Sequence, residues 1–232
     1  MRRPLAWQFL VVGYPHDSVT NFVEIDAERL LDQLDRLGHP KTVFVCHSRG
    51  GLVARAAAAL NPTRKAPNEL LAAVTFETPH LGASLAESPS KLSLAVLVLR
   101  GRKQSGTVDT LADLLCCYAT DGTLPGVQDM KPARKGDEYL RKLELGERGL
   151  KDGFALDMLR FGGVAEPAGL VKWLLKRLMG DHKHDLVVET HSALPEGKSG
   201  NEDPLPGMDH FSYFSRKSPA LQAAEASVLR YF

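Results

Sequence analysis

Cys46-His47-Ser48-Arg49-Gly50-Gly51 is the stretch of this chain best equipped for covalent chemistry. A serine hydroxyl is a poor nucleophile at its own pKa and needs a base within hydrogen-bond reach. What marks Ser48 is its setting. The apolar run Thr42-Val43-Phe44-Val45 feeds into it, and a small-residue segment, Gly51 to Leu60, follows it. Strand, sharp turn and helix in that order make a nucleophile elbow, usually written G-x-S-x-G. Such a turn strains the serine backbone, so small neighbours are required where strand and helix approach. Gly50 and Gly51 meet that need on one side; on the other, Cys46 stands where a glycine is usual. The chemistry this arrangement suits is acyl transfer, with the backbone N–H of Arg49 aimed at the developing oxyanion. The Arg49 side chain has no part in that and reads as a surface ion-pair former.

A base and an acid must complete such a site. Of eight histidines, His16, His39 and His47 precede or adjoin the serine, and His80 belongs to the turn Glu77-Thr78-Pro79-His80-Leu81-Gly82. His182, His184, His191 and His210 come late in the chain. The carboxylates to weigh are Asp185, Asp181, Asp157 and Glu77. His182-x-His184 beside Asp181 and Asp185 has the outline of a metal site, but that spacing on a polar loop reads as solvated side chains, and no metal or cofactor is expected.

The elements that would hold these residues follow from hydrophobic pattern and breakers. Phe9–Val12 is an apolar run ended by Gly13-Tyr14-Pro15, expected as a buried strand. Thr20 or Asn21 is the expected cap of a helix carrying Leu30, Leu31, Leu34 and Leu37, stopped by Gly38 and Pro40. Strands are expected at Thr42–Val45 and Leu70–Phe76, with the Gly51–Leu60 helix between them. Such alternation gives a parallel sheet covered on both faces. Residues 86–150 break the pattern: helices are expected at Leu92–Leu99, Leu111–Tyr118 and Tyr139–Leu145, around the turn-rich stretch Asp121–Gly136. The core pattern resumes with a strand at Phe154–Phe161, a helix at Ala168–Met179, the short run Leu186-Val187-Val188 and a last helix at Ala220–Leu229. One domain is expected, with core 1–85 and 151–232 and a cap or lid insert at 86–150.

With these residues on the page, the chain resembles the lipase and esterase branch of the α/β-hydrolase superfamily. His-Ser-x-Gly-Gly-Leu-Val-x-Arg is a common form of that branch's elbow, and Glu77–Gly82 is similar to its Thr-Pro-His-x-Gly segment. Leu124–Pro132 looks like a cap segment, while Asp185-Leu186-Val187-Val188 and Met208-Asp209-His210-Phe211 fall where the acid and the histidine should come. The resemblance implies a serine esterase with Ser48 as nucleophile, His210 as base and Asp185 as acid. His191 is the second choice of base, and Asp181, Asp157 and Glu77 are the other acids. His47, Pro79, His80 and Leu81 would shape the substrate pocket. It also implies a missing part. A single helix fits between Val12 and Val43, so the strand at Phe9–Val12 counts as the one before the elbow strand. By that count the first strands and the usual oxyanion loop are expected to lie upstream of Met1, Gly13-Tyr14-Pro15-His16 being the one segment within the chain to set in that loop's place. A catalytically weak or inactive binding module on the same fold is the alternative expectation, and peptidase or acyltransferase activity uses the same triad.

Composition narrows the classes. The chain has 232 residues, 44% hydrophobic and 25% charged, with a formal net charge of +1. That is long enough for one core and an insert, and it carries no basic stripe for nucleic acid. The expected partner is a small-molecule ester or lipid. Cys46, Cys116 and Cys117 are odd in number and partly adjacent, which suits a reducing, cytoplasmic setting over a disulfide framework. Met1-Arg2-Arg3 before Leu5–Val12 has the outline of a secretion signal, but Trp7-Gln8 interrupts it and no small-residue cleavage site follows. No run approaches the ~20 apolar residues of a bilayer span.

Overall fold

Three parallel strands carry the fold in the computed structural model, which describes residues 9–17, 20–87, 124–132, 139–150, 155–215 and 218–232. In chain order the elements are α1 (Val23–Arg36), β1 (Thr42–His47), α2 (Gly50–Leu60), β2 (Leu70–Phe76), α3 (Pro125–Gln128) and α4 (Tyr139–Arg148). They continue with β3 (Asp157–Phe161), β4 (Gly163–Val164), α5 (Gly169–Met179), α6 (Thr190–Ala193), β5 (Leu205–Pro206) and α7 (Pro219–Val228). The sheet order is β1-β2-β3, all parallel, and β4 with β5 forms a separate two-residue parallel pair.

Alternation along the strands divides the core in two. Phe44, Cys46 and Ala73 pack with α1, α2 and Leu140 and Leu143 of α4 on one face. Val74, Phe76, Leu159 and Phe161 face the other way, against Met208, Tyr213 and Ala220 and Ala224 of α7. This is the period of two that a sheet imposes on side chains, and it produces the two-sided cover expected of a parallel sheet. On the first face α2 buries Ala54, Ala56, Ala57 and Ala58; methyl-sized side chains let a helix lie close on a sheet.

Register fixes the level at which the strands end. His47 is opposite Phe76, and Phe76 is opposite Phe161. The ladder runs one residue further on each side: Ser48 N–H donates to Phe76 O at 2.8 Å and Glu77 N–H to Phe161 O at 3.0 Å. Ser48 then turns at φ +52 and Glu77 at φ +50. Two left-handed residues therefore stand side by side at the carboxyl edge of the sheet, where α/β folds place their ligands.

Several expectations are corrected. Phe9–Val12 is not a strand; it runs as irregular chain with Leu10 and Val11 79% and 68% exposed. Apolar composition forecasts burial, but a strand needs a ladder partner. Among the described residues β1 pairs with β2 alone, and the segment faces β1 across a cavity of about 850 Å³. Neither Thr20 nor Asn21 caps α1. Thr20 bonds to Asp17, and the free N–H of Val23 is taken by the Asp129 carboxylate at 2.6 Å. Leu186-Val187-Val188 forms a turn around the Asp185 carboxylate, with Leu186 at φ +89. The expected helices at 92–99 and 111–118, and Cys116 and Cys117, lie outside the described residues.

Candidate active site

The elbow works because its second glycine is obligatory. A Cβ on Gly51 would sit 2.1 Å from Thr78 Oγ1, and that hydroxyl donates to Ser48 O at 2.8 Å. Thr78 thus braces the carbonyl of the strained serine from the neighbouring turn, and only glycine leaves it room. Gly50 is less confined, with Cys46 Cβ 4.0 Å from its Cβ position. That clearance is why cysteine fits where glycine is usual. Burial pushes the Cys46 thiol up to about 12, so it stays protonated and inert.

From Ser48 a chain of hydrogen bonds leads inward. Ser48 Oγ lies 3.0 Å from His210 Nε2, and His210 Nδ1 lies 2.5 Å from Asp185 Oδ2. Asp185 is fully buried. Its other oxygen, Oδ1, accepts the N–H groups of Val187 and Val188 at 2.9 and 2.8 Å. The backbone ties the pair as well, because His210 N–H donates to Asp185 O at 2.9 Å. A carboxylate so held is fixed in place, and an imidazole with one nitrogen on it presents the other to the serine.

The remaining sequence candidates separate clearly. His191 and His182 are exposed and lie 5.2 Å apart by ring centroids, away from Ser48. His184 accepts the N–H of Leu186. Asp181 is exposed and pairs with Lys176, and Asp157 accepts the Tyr231 hydroxyl at the far end of β3. Among the described residues no three His, Cys, Asp or Glu side chains gather as a metal site. Of the four pocket residues, His47 lines the cavity that reaches Ser48, and its ring packs 4.6 Å from that of His210. Burial first, and the His210 charge second, lower His47 to about 3. His80 points under the sheet, where its ring meets Thr75 Oγ1 at 3.2 Å; burial, and then the Arg55 charge, hold it well below the usual histidine range. Pro79 is buried in the same turn. Leu81 lines a separate cavity of about 420 Å³, beside Arg177 and Glu189.

Two features escaped the sequence reading. The Arg49 side chain is 1% exposed and pairs with the equally buried Asp26 at 2.7 Å, while also donating to Asp17 O and Asn21 O. Charge patterning alone assigns such an arginine to the surface. The other is Glu77. It is fully buried, and its Oε1 accepts the Tyr213 hydroxyl at 2.5 Å and the Gly163 N–H, while Oε2 has no hydrogen-bond partner. Burial, and then the Asp185 charge, hold its carboxyl well above the usual carboxylate range.

A parallel sheet covered on both faces, with an elbow serine at its carboxyl edge, is the α/β-hydrolase fold. Solved structures bear this out. The lipase BlEst2 of Bacillus licheniformis in mature form matches with a TM-score of 0.52 at 17% identity, over 83% of this chain and 69% of that one. Its propeptide form matches with 0.51 at 18%, over 82% and 36%. Phospholipase PlaB from Legionella pneumophila matches with 0.51 at 12%, over 77% and 36%. The chain therefore spans about a third of the length of the last two, and likeness at this identity speaks for the fold alone. By sequence the chain belongs to the family described as Domain of unknown function (DUF7379), matched over residues 5–226. No curated protein matches it significantly. Among the described residues no helix is long and apolar enough to cross a membrane.

Proposed function

We propose that the protein is a serine hydrolase that cleaves carboxylic esters through an acyl-enzyme. The observation that carries this reading is the unbroken chain from Ser48 Oγ through His210 to buried Asp185, set on a serine at φ +52. In this reading Ser48 Oγ attacks the ester carbonyl carbon while His210 Nε2 takes its proton, and Asp185 stabilises the imidazolium. The same proton then goes to the departing alkoxide, and a water activated by His210 hydrolyses the acyl-serine. The Arg49 N–H donates to the oxyanion; it lies at the start of α2, where leading N–H groups have no intrahelical partner. The Gly13–His16 segment is the candidate source of a second donor, since His16 Cε1 comes within 3.4 Å of the Cβ position on Gly50.

The acyl chain is assigned to the cavity of about 850 Å³ at Ser48, whose walls include Leu30, Leu34, Val43, Val53 and Phe232. Its apolar lining and the names of the two matched enzymes, a lipase and a phospholipase, favour an ester or lipid substrate over a peptide. The insert at 86–150 is assigned as a cap on the core formed by 1–85 and 151–232, anchored to that core at its end by Leu140 and Leu143 of α4. Fluorophosphonate labelling tests the reading. The folded protein should be labelled, Ser48→Ala should abolish the label, and p-nitrophenyl esters should be hydrolysed faster than the matching anilides. Absence of label on folded protein sinks the reading and leaves a binding module on a hydrolase fold.

A further inference from the structure

The Asp185 carboxylate accepts the N–H groups of Val187 and Val188 on Oδ1 and pairs with His210 through Oδ2. A carboxylate has about four acceptor positions, so one remains. Within interaction range of it stands Glu77, at the end of β2 next to Ser48 and fully buried. Glu77 Oε1 is used twice, by Tyr213 and Gly163, whereas Oε2 is buried without a hydrogen-bond partner. Two ionised carboxylates at such a place repel in a medium of low dielectric. One proton resolves both problems, because it gives Oε2 a donor and gives Asp185 its fourth partner.

We propose that Glu77 is held as the neutral acid and donates from Oε2 to the Asp185 carboxylate, making it a positioning residue for the Asp185–His210 pair. The proposal rests on the triad reading above and deepens it. The titratable groups that act on Glu77 are Asp185, from the turn before α6, and Tyr213, from the turn after His210. Burial and the Asp185 charge favour the neutral form and outweigh the hydrogen bond from Tyr213, which lowers Glu77; burial keeps the Tyr213 phenol itself protonated. The left-handed backbone of Glu77 delivers the carboxyl into this gap.

The test compares Glu77→Gln with Glu77→Leu. Glutamine keeps an acceptor for Tyr213 and Gly163 and a neutral N–H donor for Asp185; leucine keeps neither. Two readouts are taken: the downfield proton resonance of His210 Nδ1–H, which needs no turnover, and the pH profile of Ser48 labelling by a fluorophosphonate. Glu77→Gln should keep the resonance in place and label within about twofold of the parent at every pH. Glu77→Leu should displace the resonance and slow labelling by about ten- to a hundredfold, the worth of one hydrogen bond to a charged group. A displaced resonance in Glu77→Gln, with the acid limb of its labelling profile moved to lower pH, means an ionised Glu77 and overturns the proposal. So does a folded Glu77→Leu that matches the parent in both readouts. If Glu77→Leu does not fold, the Gln comparison decides. A parent that takes no label defeats the esterase reading, while the resonance still decides the role of Glu77.

Discussion

Burial of histidine beside histidine is what makes this site sensitive to acid. His47 packs on His210, Tyr213 and Phe214, and its pKa is lowered from 6.5 to about 3. The unfolded chain therefore binds a proton at His47 below pH 6.5 that the folded chain refuses until about pH 3. Stability falls as pH drops through that window, by about 1.4 kcal/mol per pH unit from this residue alone. His80 adds in the same direction. Urea midpoints measured from pH 7 to 4 should show the loss, and His47→Phe should flatten it by one proton's worth of slope. An unchanged slope in that variant would place the acid sensitivity elsewhere. Residue types and order were enough to single out Ser48 in the sequence, and the family resemblance pointed from there to Asp185 and His210. The setting of Glu77 was not legible there, because its buried carboxyl meets Gly163, Asp185 and Tyr213 from three separate segments.

Elements matter here chiefly as supports for the elbow. Arg49 follows Ser48, yet its side chain is locked to Asp26 of α1 in a pair that is 1% exposed on both sides. Asp26→Ala leaves a buried guanidinium without its charge partner and should cost about 3–5 kcal/mol in denaturant unfolding. Removing both charges, in Asp26→Leu with Arg49→Met, should recover part of that loss. If the single and double variants are equally destabilised, the pair is not the clamp. On the other side of the elbow, Gly51→Ala drives a methyl into Thr78 Oγ1. We expect it to cost about 1–3 kcal/mol of overpacking and to slow labelling of Ser48, because Thr78 must release the Ser48 carbonyl. β1, α2 and β2 were legible in the sequence because an apolar run, a glycine turn and a small-residue helix are local signals. The cap of α1 was not: Asp129 lies 106 residues from Val23, and no local pattern records such a partner. Phe9–Val12 misled for the complementary reason, since four apolar residues announce burial but not a neighbour to pair with.

For the whole molecule the left-handed serine has a consequence outside chemistry. A domain of this kind is stable by only about 5–15 kcal/mol. A side chain held at φ +52 withholds on the order of 1–2 kcal/mol of that, and glycine at the same position would return most of it. Ser48→Gly should therefore unfold at a higher temperature than Ser48→Ala, by roughly 2–4 °C per kcal/mol relieved in a chain of this length. Both lack the hydroxyl, so the comparison isolates the backbone. Equal melting temperatures would mean that the strain has been absorbed by the surrounding turn. If the difference appears, Ser48 is a standing handicap that one codon change would remove. Mutation supplies such changes continually, and a scaffold used only for docking gains by accepting them. Under the proposed esterase reading, a lineage that keeps serine there trades durability for reactivity, and the size of that trade can be read from two melting curves.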